Sequence, residues 1–388
     1  MQAFLPPIAA GFLAAFVAYS STFTVVLQGL TSVGATPDQA ASGLLAISLV
    51  MGLGGIVYSA VTRIPMNIAW SSPGAAFLVA AGVPEGGFAG AVGAFIVAGL
   101  LTLAAGLVRP VATAIARIPS SLASAMLAGI LFDLCLAPVR AMVEAPLAAG
   151  AIIVSFIAIS LWRPLFAVPA ATAVTVALVV AALPPGFSFA GPLMATPVLV
   201  TPEFHLSAAV GLGVPLFVIS MASQNVPGLT ILKANGYDPA PGPLFATLGG
   251  LGVAAAPFGA HSVILAAITA GLCAGESAGP DRSLRWIAGV VSGLCYIAFG
   301  LSAAVLVALT AGSPLLVATV AGLALLGVFA ASLKAAMERD GEREAAAIAF
   351  LVTASGIAFF GVSAAVWGLL AGGLVLAARR LAGRRFLR

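Results

Sequence analysis

Long apolar stretches almost free of charge constrain this chain more than any other feature. From Ile64 to Val108 the one charged side chain is Glu85, and from Leu5 to Val61 it is Asp38. A soluble domain carries roughly 25% charged residues. Here the charged share is 7% and the hydrophobic share 62%. So little charge does not cover a water-facing surface, so the solvent of this chain is lipid. A spanning helix needs about 20 apolar residues, and the runs lack the short alternation of membrane β-strands. The expected fold class is an all-α polytopic membrane protein, and its length suits about fourteen transmembrane helices.

The basic residues test that count. Spans are placed at roughly 8–30, 42–60, 64–81, 88–108, 118–137, 145–162, 167–183, 207–229, 243–256, 257–275, 285–309, 314–333, 345–361 and 363–380. Fifteen of the sixteen Lys and Arg residues then share one side. Arg140 alone falls on the other, with Asp38, Glu85, Glu144, Glu203 and His205. The positive-inside rule assigns the basic side, with both termini, to the cytoplasm of a bacterial-type inner membrane. The stretch 243–256 is short for a regular helix and is expected to cross partly extended. The opening MQAFLPPIAAGF has no basic residue before its apolar run, unlike a cleaved signal peptide, so it is expected to remain as a span. Cys135, Cys273 and Cys295 lack metal or redox spacing and read as small buried hydrophobes. The net charge of +4 comes from loop Arg and Lys and implies no nucleic-acid partner.

Two halves, 1–190 and 205–388, resemble each other faintly. Gly29-Leu30-Thr31 closes the first span and Gly228-Leu229-Thr230 the eighth. Breaks follow at Pro73-Gly74-Ala75 in the third span and Phe258-Gly259-Ala260 in the tenth. Seven spans per half would give the halves opposite orientation, an inverted repeat with paired broken helices. Gly74 and Gly259 are each expected to start a half-helix near mid-membrane. Two helix N-termini facing one cavity would attract an anion without any Lys or Arg.

The eighth span carries Ser220, Ser223, Gln224 and Asn225, costly in hydrocarbon unless partnered. They cover more than half the helix circumference, so they cannot all serve one neighbour. Residues 19–24 of the first span are their repeat counterpart, and some should line the same cavity. His261, at the second break, has an unperturbed pKa near 6.5 and can exchange a proton near neutrality. A proton there and a bound anion would favour each other. Asp133, an acid within a span, is a second proton-handling candidate. No HExxH motif and no paired intramembrane acids point to an enzyme, and no cofactor or metal is expected.

The stretches S-M-A-S-Q-N-V-P-G-L (220–229), L-K-A-N-G-Y (232–237), P-F-G-A-H-S-V-I-L-A-A-I-T-A (257–270) and I-P-M-N-I-A-W-S-S-P-G-A-A (64–76) resemble the BenE-type benzoate:proton symporters. The resemblance runs over nearly the whole chain. It implies secondary active import of benzoate or a similar aromatic carboxylate with protons. It also implies seven-plus-seven inverted spans, interleaved core and gate domains, and frequent homodimers, as in nucleobase and sulfate transporters. Carried over by motif, the substrate site would comprise Ser72, Gly74, Ser223, Gln224, Asn225, Phe258, Gly259 and His261. Phe23 joins Phe258 as a candidate for packing the aromatic ring. Nucleobase transporters usually have acids in spans eight and ten; here those positions read S-Q-N and G-A-H, which suits an anion. Proton coupling would fall first to His261. Transport of another substrate (a nucleobase or inorganic anion) and voltage-driven anion uniport remain open alternatives.

Overall fold

The computed structural model describes residues 2–108, 119–182, 194–267, 269–311, 313–359 and 362–385. Arg109, Arg117, Arg388 and the boundary expected at 190 lie outside the described residues. Among those described, nine helices are long and apolar enough to cross a membrane.

The chain opens with α1 (Leu5–Ser32) and α2 (Pro37–Thr62). A capping box starts α2: Thr36 Oγ1 accepts from Gln39 N–H, and Gln39 Oε1 accepts from Thr36 N–H. Strand β1 (Ile68–Trp70) leads directly into α3 (Ser72–Ala81), and α4 (Gly87–Leu107) follows. Next come α5 (Ser120–Glu144), α6 (Pro146–Trp162) and α7 (Ala167–Ala181). Helix α8 (Leu206–Ala234) contains two π-helical stretches, Ala209–Gly213 and Met221–Asn225. After α9 (Pro241–Ala255) come a 3-10 turn at Ala256–Phe258, strand β2 (Val263–Leu265) and the five-residue α10 (Ala270–Ala274). The chain ends with α11 (Trp286–Leu301), α12 (Ala303–Ala311), α13 (Pro314–Met337), α14 (Arg343–Ala354) and α15 (Ala364–Arg385).

Three expectations are corrected. The stretch around 243–256 is a regular helix, α9, packed on α4; the extended backbone lies just after it. The span expected over 285–309 is divided at Ser302 into α11 and α12. Gly259 does not start a half-helix. Its φ of +93° is left-handed, which ends the 3-10 turn, and its Cα side abuts Gly43, so an added Cβ would lie 3.1 Å from Gly43 Cα. The next residues are committed to β2, which pairs antiparallel with β1: Ile68 opposite Leu265, Ala69 opposite Ile264 and Trp70 opposite Val263. Strand backbone that pairs across the molecule is unavailable to a helix, so helical structure resumes at Ala270.

Packing divides the helices into two groups. In one, α1 lies on α3 and α11, α2 on α11 and α4 on α9, with the β1–β2 ladder at the centre. In the other, α5 packs on α13 and α14, α14 on α15 and α6 on α7. His205 lies 3.4 Å from Glu85 and 3.1 Å from Glu203 on one edge. On the other edge the Arg63 guanidinium covers the Trp286 ring and Arg282 covers Tyr237.

Candidate functional site

The β1–α3 and β2–α10 breaks face a cavity of about 350 Å³ between the two packing groups. That volume lies within the roughly 300–1,000 Å³ of small-molecule sites. Its lining includes Ser21, Thr22, Trp70, Ser72, Gln224 and Thr269, with Ala324, Leu325 and Val328 of α13 opposite. No Lys, Arg, Asp or Glu is among the lining residues. A second cavity of about 410 Å³ shares Gln224, Ala324 and Val328 with the first. It runs between α5, α8 and α13 past Ser124, Ser223 and Ser332, toward the edge that carries Lys334.

Each polar group in the first cavity has a local cause. Ser71 caps α3, its Oγ accepting from Gly74 N–H at 3.0 Å. Pro73 has no N–H, so among the first three residues of α3 only Ser72 has an N–H not already committed, together with its hydroxyl. A helix N-terminus is electropositive, so this end favours a negative group. Gln224 sits in the π-helical stretch; it and Asn225 both reach the β2 segment, while Ser223 Oγ donates to the Ile219 carbonyl of its own helix. Gln224 Oε1 accepts from Ala267 N–H at 3.1 Å, which leaves its NH₂ group to donate elsewhere. Asn225 is fully buried and serves the ladder: its Oδ1 accepts from Leu265 N–H at 2.8 Å, and its Nδ2 donates to Met221 Sδ. Trp70 donates its indole N–H to Thr22 and lies against Tyr19, ring centroids 4.8 Å apart. Tyr19 in turn packs on Phe299. Trp70 therefore offers the cavity a fixed apolar wall.

Of the residues expected at the site, the structure brings Ser72, Gln224 and, from the 19–24 stretch, Ser21 and Thr22 to the first cavity and Ser223 to the second. The others lie elsewhere. Gly74 is glycine for packing: a Cβ there would sit 2.7 Å from Leu216 Cδ1. Phe258 and Gly259 form the turn before β2, where the Phe258 carbonyl accepts from Ser42 Oγ. Phe23 lines separate pockets with Thr172 and with Phe299. Asp133 forms an exposed ion pair with Arg140 at 2.5 Å, away from both cavities. His261 is in extended backbone ahead of β2 rather than inside a helix, because the ladder claims that segment. It is buried behind α3, Nε2 lying 3.2 Å from the Ser71 carbonyl oxygen.

Trp70, Thr269 and the α13 residues carry no site role in the sequence reading. Trp70 does stand three residues before the Pro73-Gly74 break, but its aim depends on strand register. Residues 275–279, G-E-S-A-G, have the spacing of a nucleophile elbow, a match that sequence reading passes over. They form a 3-10 turn after α10, and Ser277 Oγ donates to the Leu272 carbonyl. A strand-to-helix turn, which the elbow requires, is not there.

Comparison with known proteins adds a family and a fold. Residues 2–378 match the family BenE, described as benzoate membrane transport protein. An inner membrane protein of Escherichia coli, YdcO, is 36% identical over 373 residues, covering 95% of this chain and 94% of that protein. The benzoate membrane transport protein of Acinetobacter baylyi is 33% identical over 373 residues, covering 94% and 92%. Among solved structures, the transmembrane domain of a cyanobacterial bicarbonate transporter, BicA, superposes with a TM-score of 0.59 at 17% identity, covering 95% of this chain and 97% of that one. SLC26A9 superposes at 0.62 with 12% identity, covering 97% and 66%. These two likenesses establish the fold.

Proposed function

The chain belongs to the BenE family of benzoate membrane transport proteins and is a membrane transporter, not an enzyme; from that premise we propose that it imports benzoate or a similar aromatic carboxylate together with protons. The carrying observation is the uncharged cavity of about 350 Å³ with one aromatic wall and a few polar points. In this reading the ring lies against Trp70. The carboxylate meets the Ser72 end of α3, and the Gln224 NH₂ group donates to it. A site without acids leaves an anion unopposed, and the missing cations are offset by the helix end.

The cavity separates the two packing groups, so their relative movement would expose it to either side in turn. The second cavity, which shares Gln224, Ala324 and Val328 with the first, would supply the route toward the basic edge. We place that edge, with both termini, in the cytoplasm of an inner membrane, on the positive-inside rule. Importing one negative charge against an inside-negative potential costs about 2.3 kcal/mol per 100 mV. A proton carried with the anion cancels this cost, and His261 is the proposed coupling group.

The test is benzoate uptake into proteoliposomes under an inward-acid pH gradient, with internal pH recorded. Saturable uptake and acidification beyond protein-free liposomes support the reading. The control is needed because neutral benzoic acid crosses bilayers unaided. No excess over that control overturns the substrate assignment.

A further inference from the structure

The hydrogen bonding of His261 fixes which of its nitrogens takes up a proton. A carbonyl oxygen only accepts, so the contact from Nε2 to Ser71 O at 3.2 Å requires the hydrogen on Nε2. The lone pair of the neutral ring is then on Nδ1. Nδ1 is buried and has no hydrogen-bond partner among the described residues, and the whole residue is 1% exposed. The ring also borders a pocket separate from the substrate cavity. Thr102, Ser220 and Ser262 supply its polar lining, and Phe95 and Val263 are among its apolar walls. Its volume is about 10 Å³, at the lower edge of the roughly 10–15 Å³ that admits one water.

The polar groups around it form a complementary set. Thr102 Oγ1 gives its hydrogen to Ala98 O at 2.9 Å, so toward the pocket it only accepts. Nδ1 also accepts. Ser220 Oγ donates to Ser262 Oγ at 3.4 Å, which leaves the Ser262 hydroxyl free to donate. Two acceptors and one donor match the two hydrogens and a lone pair of a water molecule. Among the described residues that line the pocket, none but His261 is an acid or a base. Helices α3, α4 and α9 carry none; α8 has Lys233 near its far end, and α2 has Asp38 in its exposed first turn.

We propose that this pocket binds a single water that delivers the transported proton to His261 Nδ1, on the side of the ring away from the substrate. An excess proton that reaches this water is handed to Nδ1, which leaves a neutral water behind, and the imidazolium returns it to that water in the reverse step; Nε2 keeps its hydrogen and its bond to Ser71. The imidazolium then stands behind the α3 cap, next to the end assigned to the carboxylate. Proton and substrate thus reach the coupled pair from opposite faces. This rests on the role given to His261 above.

The chain has only two histidines, so a ¹⁵N-histidine spectrum of the protein in lipid holds two sets of signals, and His205→Gln identifies those of His261. The expected spectrum is the Nε2–H tautomer, with Nδ1 shifted by a hydrogen bond and in exchange with water. Thr102→Val should remove that shift and slow pH-driven benzoate uptake about tenfold, the order of one lost hydrogen bond in a relay. Equilibrium exchange of labelled benzoate should be unchanged. Ser262→Ala repeats the test if Thr102→Val does not fold. The opposite tautomer, an Nδ1 signal insensitive to both variants, or equal loss of uptake and exchange would overturn the relay. A wild-type protein with the expected spectrum but no benzoate exchange would overturn the substrate reading instead.

Discussion

Trp70 donates its indole N–H to Thr22 Oγ1 at 2.8 Å, and Thr22 passes its own hydroxyl hydrogen to the Ala18 carbonyl 2.9 Å away. The bond joins the β1 break to α1 and spends the one polar atom of the indole, so the cavity sees a wall without a donor. Trp70→Ala should weaken benzoate binding about tenfold, the upper range of an aromatic contact, and leave acetate competition unchanged. Trp70→Phe should retain most of the affinity. Competition against labelled benzoate measures both, and wild-type affinity in the Ala variant would place the ring elsewhere.

Gln224 combines a structural acceptor with a free amide donor. Gln224→Glu keeps an oxygen for Ala267 N–H but sets a carboxylate in a cavity assigned to one. Benzoate binding should be lost, with the protein still folded by size-exclusion profile. Unchanged binding would remove Gln224 from the site.

Asn225 is expected to matter for stability rather than for selectivity. Asn225→Leu leaves Leu265 N–H buried without an acceptor, a cost of about 1–3 kcal/mol. Thermal unfolding in detergent should shift down accordingly. A variant as stable as wild type would show that the ladder does not depend on this bond.

Asp133 and Arg140 satisfy each other on an exposed face of α5. The double variant Asp133→Asn, Arg140→Gln should therefore accumulate benzoate at close to the wild-type rate under a pH gradient. Loss of accumulation with binding intact would return Asp133 to the proton path.

His261→Ala should still bind benzoate, but without the pH dependence that a proton on His261 confers, and should lose accumulation driven by the pH gradient. Undiminished accumulation would end its coupling role. His205, paired with Glu85 and Glu203 at the surface, provides the matched control: His205→Gln should transport normally.

Fold class was legible because hydropathy is a local property. The break at 71–76 was legible as a Pro-Gly interruption of an apolar run, although the helix starts at Ser72 under the Ser71 cap rather than at Gly74. Its partner at 257–262 was found but misread. Gly259 resembles a start, yet the following residues are held by strand β1, far away in sequence. The π-helical stretch at 221–225 has no local signature, so the separate roles of Ser223, Gln224 and Asn225 were not legible: Gln224 and Asn225 accept from the β2 segment, while Ser223 bonds within its own helix. Trp70 was hidden for the same reason as β2: its direction follows from pairing with Val263 rather than from its own surroundings.

The β1–β2 ladder also bears on how the chain is made. Ile68–Trp70 emerges from the ribosome long before Val263–Leu265, and until then its backbone groups lack their strand partner. Bare N–H and C=O groups in hydrocarbon cost several kcal/mol each, so the segment after Arg63 has no stable resting place in the bilayer during early synthesis. Its final placement must await the second half of the chain, and the insertion machinery has to shelter it meanwhile. Substitutions that weaken the ladder should therefore first lower the yield of membrane-integrated protein, before any effect on the speed of transport can be seen.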